Sequence, residues 1–241
     1  MADQVQSSWL RRKVQSAIQR GFLRAYHGVR VDPANFLTQL RSAHGLQIAS
    51  YQDVFQLDLR LLDKVAEETI RSGMRLAAAQ GAGFGLGGAL TLVPDMSLMA
   101  AITLRTIQKL SLIYGFEFNT DHEVAELWVA TASAAGVDIG RELIEKELVN
   151  KFVPRIIQRI AVSASAEVVE KWAARLIPVV SSIIGAGLNY YFIRAWGARG
   201  KKYFRAKHLE MRQRNYKPPV TLSGDVSSTI LPPSPVTLTR S

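Results

Sequence analysis

The chain is 241 residues long, with thirty Lys and Arg against twenty Asp and Glu, a net charge of +10 and no cysteine. That length suffices for one well-packed core, and the missing cysteine excludes a disulfide framework, a thiolate nucleophile and any Cys-ligated zinc or iron–sulfur centre. The charge is terminal: residues 1–30 hold six basic residues against Asp3, residues 194–217 hold nine against Glu210, and the stretch between is acidic on balance. Such a distribution suits a polyanionic surface.

The opening MADQVQSSWLRRKVQ has no apolar core ahead of its charges, which argues against a secretory signal and for a cytoplasmic location. Residues 5–26 read as an amphipathic helix. Trp9, Leu10, Val14, Ala17, Ile18, Leu23 and Tyr26 recur at three-and-four spacing, while Arg11, Arg12, Lys13, Arg20 and Arg24 take much of the remaining circumference. A helix of this kind either lies in a membrane interface or docks on its own domain. Gly28 and the Asp32-Pro33 pair break the pattern, and a shorter helix over 34–43 ends near Gly45. From Tyr51 to Gln80 the apolar residues Val54, Leu57, Leu61, Leu62, Val65, Ile70 and Met74 keep helical spacing, with Asp58, Asp63, Glu67 and Glu68 facing away.

Between Leu76 and Leu104 the only charge is Asp95, and Gly81, Gly83, Gly85, Gly87 and Gly88 crowd the first half of the stretch. On a helix, Gly81 with Gly85 and Gly83 with Gly87 form flat strips against which another backbone packs closely. Because glycine costs up to about 1 kcal/mol per helical position, so many require a compensating contact, kink or insertion. The run lacks the Lys-Ser/Thr ending of a phosphate loop and the preceding strand of a dinucleotide fold. Pro94 marks the first turn of a helix over 95–114 that stops at Gly115. Asp95 is the functional carboxylate candidate. As an N-terminal helix residue it caps by accepting N–H bonds, and Arg75, Arg105 and Lys109 are its candidate partners or lipid-headgroup contacts.

Residues 122–135 form the next helix, and its start, HEVAE, is half of an HExxH zinc motif with the second histidine replaced by Glu126. Acids gathered at a positive helix end explain it better. No metal site, catalytic set or cofactor is therefore predicted. Charged helix 141–150 and helix 152–163 follow, and Glu167–Arg175 leads into a second uncharged run over 176–193. Eighteen residues rise about 27 Å, the short end of a membrane span, and Gly185 and Gly187 form a second helix-contact pair within them. The basic helix beyond brings Arg194, Arg199, Lys201, Lys202 and Arg205 together with Trp196, Tyr203 and Phe204, the aromatic and cationic mixture of an interfacial anchor. Residues 218–241, rich in Pro, Ser and Thr, read as a disordered tail, with Val236 and Leu238 forming a short peptide for a protein partner.

The block GAGFGLGGALTLVPDMSLMAAITLRTIQKLSLIYGFE, with LIPVVSSIIGAGLNYYF, resembles the two signature regions of the bacterial EcsC family. There a Gly-rich apolar segment leads to a Pro-Asp pair, here Pro94 and Asp95, and then to a helix ending in Tyr-Gly, here Tyr114 and Gly115. A later segment from Pro178 through Gly185 reaches Asn189. The resemblance covers about 50–210. It implies a helical, membrane-associated protein, named for a gene beside an ABC transporter, with no agreed reaction.

The expected fold is all-α: a multi-helix bundle with Gly-rich apolar central helices and a disordered C-terminal tail, divided as a basic N-terminal helix over 1–30, a helical domain over 31–217 and a tail over 218–241. The expected role is a non-catalytic, membrane-associated accessory protein on the inner face of the membrane, meeting anionic lipid through its basic ends and taking an apolar ligand or a partner protein. Three rivals remain: a hydrolase with a cleft joining His122, Glu126 and Asp95; a nucleic-acid binder through 194–217, less favoured than lipid; and an adaptor captured by its tail.

Overall fold

The computed structural model describes residues 2–84, 92–139, 149–173 and 181–215. Among them seven helices and one short 3₁₀ turn form an all-α bundle: α1 (Ala2–Gly28), α2 (Pro33–His44), the 3₁₀ turn (Asp53–Gln56), α3 (Leu59–Phe84), α4 (Leu92–Ile113), α5 (Asp121–Ala134), α6 (Val149–Ala173) and α7 (Ser181–Asn215).

Local chemistry sets most of the boundaries. Asp32 caps α2 by accepting from the Asn35 N–H at 2.9 Å, Pro33 occupies the first helical position, and Gly45 closes the helix at φ +66°. Thr120 and Glu123 form a reciprocal capping box at the start of α5. Helix α4 ends in a Schellman motif, with the Phe116 N–H on Ser111 O at 2.9 Å and the Gly115 N–H on Leu112 O at 3.0 Å.

Three boundaries differ from the sequence expectation, one being that of the helix expected over 152–163, which spans Val149–Ala173. The helix predicted over Tyr51–Gln80 starts only at Leu59, because the Asp53 carboxylate accepts from Ala49 and Ser50 N–H and Asp58 accepts from Arg60 N–H, which holds 49–58 in turns. From Ser181 to Asn215 the second uncharged run and the basic stretch form one continuous helix, α7, of 35 residues. The predicted helix over 141–150 lies mostly outside the described residues, and the tail lies wholly outside them.

Helix α4 occupies the centre, packed by α1, α3, α5 and α7, with α6 against α1 and α5. Large buried rings come from three helices: Phe22 of α1 stacks on Trp196 of α7 at 5.7 Å and meets Trp128 of α5 edge-on at 6.3 Å, while Phe192 of α7 completes the group. Each such ring contributes roughly 1.5–3 kcal/mol on burial, so α1 is part of the core. Among the described residues no helix is long and apolar enough to cross a membrane.

Candidate functional site

The directions of the helices decide which ends come together. Asp63 meets Arg205, Glu67 meets Lys201, Ile70 lies against Gly197 and Gly73 against Ile193, so residue numbers on α3 climb as those on α7 fall. The two helices are antiparallel, and the last turn of α3 lies beside the first turn of α7. Helix α4 is antiparallel to α3, with Thr106 beside Gly73 and the Tyr114 hydroxyl on Asp63. Helix α1 runs parallel to α4, with Gly21 against Met96 and Gln108 bridging Val29 and Val31. The described ends of both uncharged runs, at Phe84, Leu92 and Ser181, therefore gather at one end of the bundle, with the N-terminal half of α1. Of the predicted helix-contact glycines, Gly81 and Gly83 are in the last turn of α3 and Gly185 and Gly187 near the start of α7. Their packing, and Gly85, Gly87 and Gly88 altogether, lie outside the described residues, as do Val236 and Leu238.

Helix α1 turns two different faces outward and inward. Val14, Ala17, Ile18, Phe22 and Ala25 are buried on one stripe, which docks on the bundle. Arg11, Arg12, Lys13, Arg20 and Arg24 are exposed, and none makes an ion pair among the described residues. The Lys13 ammonium lies 4.3 Å from the centre of the exposed Trp9 ring, a cation–π contact.

The cations of α7 have a different fate. Lys201 pairs with Glu67 at 2.8 Å, Arg205 with Asp63 at 3.0 Å, and Lys207 with Glu126. Arg199 donates to Ala134 O at the end of α5 and reaches Glu167 at 3.4 Å. Arg194 and Lys202 are exposed. Phe204 is buried and Tyr203 half-buried. Most of the cations predicted on α7 thus fasten it to α3, α5 and α6.

Around those pairs lies a polar network that sequence periodicity does not reveal. The Tyr114 hydroxyl donates to Asp63 at 2.7 Å. Burial alone pushes this carboxyl's pKa up, but the Tyr114 hydrogen bond and the Arg205 guanidinium outweigh it and hold Asp63 below the usual carboxylate range. Burial, then the Asp63 hydrogen bond, pushes the Tyr114 phenol up. His208 is fully buried, stacked on Phe55 at 4.8 Å, with Nδ1 2.9 Å from Tyr114 O and Nε2 without a hydrogen-bond partner among the described residues. The nearest signal in the sequence is the Tyr114-Gly115 pair itself. A Cβ on Gly115 would stand 2.8 Å from the Phe55 ring, so the glycine lets the 3₁₀ turn close over His208.

His122 is exposed and shares a groove with Glu126, Tyr203 and Lys207. Glu123 is occupied in the capping box. Asp95 is in the first turn of α4, roughly 27 Å along that helix from its other end, where α5 begins. The three residues do not share a cleft. Among the described residues no cluster of three or more His, Asp or Glu side chains is placed to hold a metal.

The protein-family model described as "EcsC protein family" matches residues 3–209, reaching across α1 as well as the segments quoted above. The chain is 24% identical over 204 residues to "Protein EcsC" of Bacillus subtilis (strain 168), covering 83% of this chain and 86% of that protein. It is 25% identical over 150 residues to "Uncharacterized protein YdbA" of the same organism, covering 58% and 55%. No solved structure matches.

Proposed function

This chain belongs to the EcsC protein family, and from that premise we propose that it is a non-catalytic accessory protein of the inner face of the membrane. It docks on anionic lipid through the glycine-rich end of the bundle. The observation that carries this reading is the antiparallel register of α3 and α7, which brings the ends of two uncharged runs to one place instead of distributing them through the fold. Helix α1 adds Trp9, Arg11, Arg12 and Lys13 at that same end, an aromatic and cations suited to lipid headgroups. The ion pairs of α7 favour α1 as the electrostatic contact, and they weigh against a nucleic-acid groove over 194–217.

The test is flotation with vesicles of phosphatidylcholine, with and without phosphatidylglycerol, across a salt series. Binding that requires the anionic lipid and weakens with salt is the expected result. Failure to float with either vesicle at low salt overturns the reading.

A further inference from the structure

The bundle is two helices deep, and one of its broad faces carries cations without acids. Helix α4 packs on both α1 and α3, which do not pack on each other, while α5, α6 and α7 lie behind. Of residues 96–113 in α4 only Ser97, Leu98, Ala101, Arg105 and Lys109 escape burial, one stripe at helical spacing. Around the helix this stripe runs from Ser97, against Gly21 of α1, toward Ile102 and Thr106, against Gly73 of α3. The outer side of α4 is therefore the middle of a three-helix face. Arg20 and Arg24 of α1 turn toward it, since Phe22 and Tyr26 on the other flank pack on Trp128 of α5. Ser72 and Leu76 of α3 border it, on the side opposite Asp63 and Glu67, which pair with α7. Residues 4–31, 33–52, 69–84 and 96–116 contain no acid. Glu68, just before the third of these stretches, is contacted by His44 of α2 at 3.3 Å, where α2 crosses the edge of the face with Phe36 5.2 Å from Lys109. Arg20, Arg24, Arg75 and Arg105 are exposed and make no ion pair among the described residues.

Resting on the membrane reading above, we infer that α1, α4 and the second half of α3 lie flat on the anionic bilayer, with Arg20, Arg24, Arg75 and Arg105 on its lipid phosphates. The contact extends from the glycine-rich end along one side of the bundle. Charge selects an anionic occupant, because cations gathered without an acid repel one another until counter-charge reaches them. Breadth selects a bilayer. Three helices side by side, with axes 8–10 Å apart, present a surface about 20 Å across that a lipid surface meets all at once, whereas a docked peptide covers one groove between two of them. Leu76, 44% exposed, and the half-buried Leu98 lie among the arginines and add apolar area, which favours lipid over a phosphate–sugar backbone. The opposite layer keeps acids on each of its helices, with Glu126 on α5, Glu167 on α6 and Glu210 on α7, so the charge asymmetry of the molecule turns the acid-free face to the membrane.

Because the chain has no cysteine, Ser72→Cys, Ala101→Cys and Gln158→Cys each accept a single fluorophore. The first two lie on the face, and Gln158 is exposed on α6 in the opposite layer. With vesicles of phosphatidylcholine and phosphatidylglycerol carrying a nitroxide headgroup label, emission at 72 and 101 should be quenched and that at 158 kept. Arg24→Ala with Arg105→Ala should lower affinity for anionic vesicles about thirtyfold with the melting temperature kept. Lys151→Ala with Arg159→Ala removes the same charge from the exposed side of α6 and should leave that affinity within about threefold of the parent. Vesicle binding with quenching absent at 72 and 101 or equal at all three positions, or with both alanine pairs losing affinity alike, overturns the face and leaves membrane docking standing. Vesicle binding kept by Arg24→Ala with Arg105→Ala, while binding to double-stranded DNA is lost, assigns the face to nucleic acid and overturns it too. No vesicle binding by the unlabelled parent chain removes the membrane reading together with the face.

Discussion

Gly115 carries two constraints at once: φ +89°, which side chains adopt only with strain, and a Phe55 ring 2.8 Å from where a Cβ would sit. Gly45 shares the left-handed conformation at φ +66° but has open space around it. Gly115→Ala should therefore cost about 1–3 kcal/mol and melt several degrees below Gly45→Ala, which meets the backbone penalty alone. Equal melting temperatures would show that the ring contact is irrelevant. His208 gives a pH dependence. Burial, aided by Arg212, pulls its imidazole below the ordinary 6.5, against the opposing pull of the Tyr114 carbonyl and Asp63. The unfolded chain then binds the proton more readily than the folded one. Stability from this group is full above pH about 6.5 and falls as the pH drops below it. Urea denaturation across pH 5–8 should show this slope in the parent and a flatter one in His208→Phe. A slope unchanged by the substitution would exclude His208 as its source.

At the scale of elements, the buried Gln108 of α4 ties down the link between α1 and α2. Its Oε1 accepts from Val31 N–H at 2.8 Å, and its Nε2 donates to Val29 O at 3.0 Å. Gln108→Leu strands both backbone groups and should cost about 1–3 kcal/mol, with faster amide exchange at Val31. Gln108→Glu keeps the acceptor for Val31 and should protect that amide better than Leu does. Gly21 sets the approach of α1 to α4, since a Cβ there would meet Met96 O at 2.8 Å. The glycines that matter in the described helix packing are Gly21, Gly73, Gly197 and Gly200, where a Cβ would stand 2.5–2.9 Å from an atom of a neighbouring helix. A search for glycine-rich runs passes over them, because none lies in such a run.

Over the whole molecule, positive charge divides into two groups with different roles. The Lys201 and Arg205 pairs span more than 130 residues of sequence to fasten α7 on α3, whereas Arg11, Arg12 and Lys13 face solvent. Replacing Arg11, Arg12 and Lys13 by Ala should lower anionic-vesicle affinity roughly a hundredfold, at about 1 kcal/mol per cation, and leave the melting temperature unchanged. Replacing Lys201 and Arg205 should do the reverse, lowering the melting temperature with vesicle affinity largely kept, since Asp63 loses its guanidinium partner. The two variants read by flotation and thermal melting separate the groups, and loss of binding in both would mean that α7 also meets lipid.

The sequence by itself determined the all-α class, the positions of the helices and the concentration of basic residues in the two terminal helices. These follow from apolar spacing, caps and turn glycines, all of which act within a few residues. Even there it placed the start of α3 too early, because the Asp53 and Asp58 side chains compete with the helix for backbone N–H groups. Only the tertiary structure decided which cations face solvent, that the two uncharged runs share an end, and that His208 and Gln108 are buried. Those outcomes depend on the register between helices far apart in the chain, where one turn of slippage exchanges a paired side chain for an exposed one without changing any local pattern.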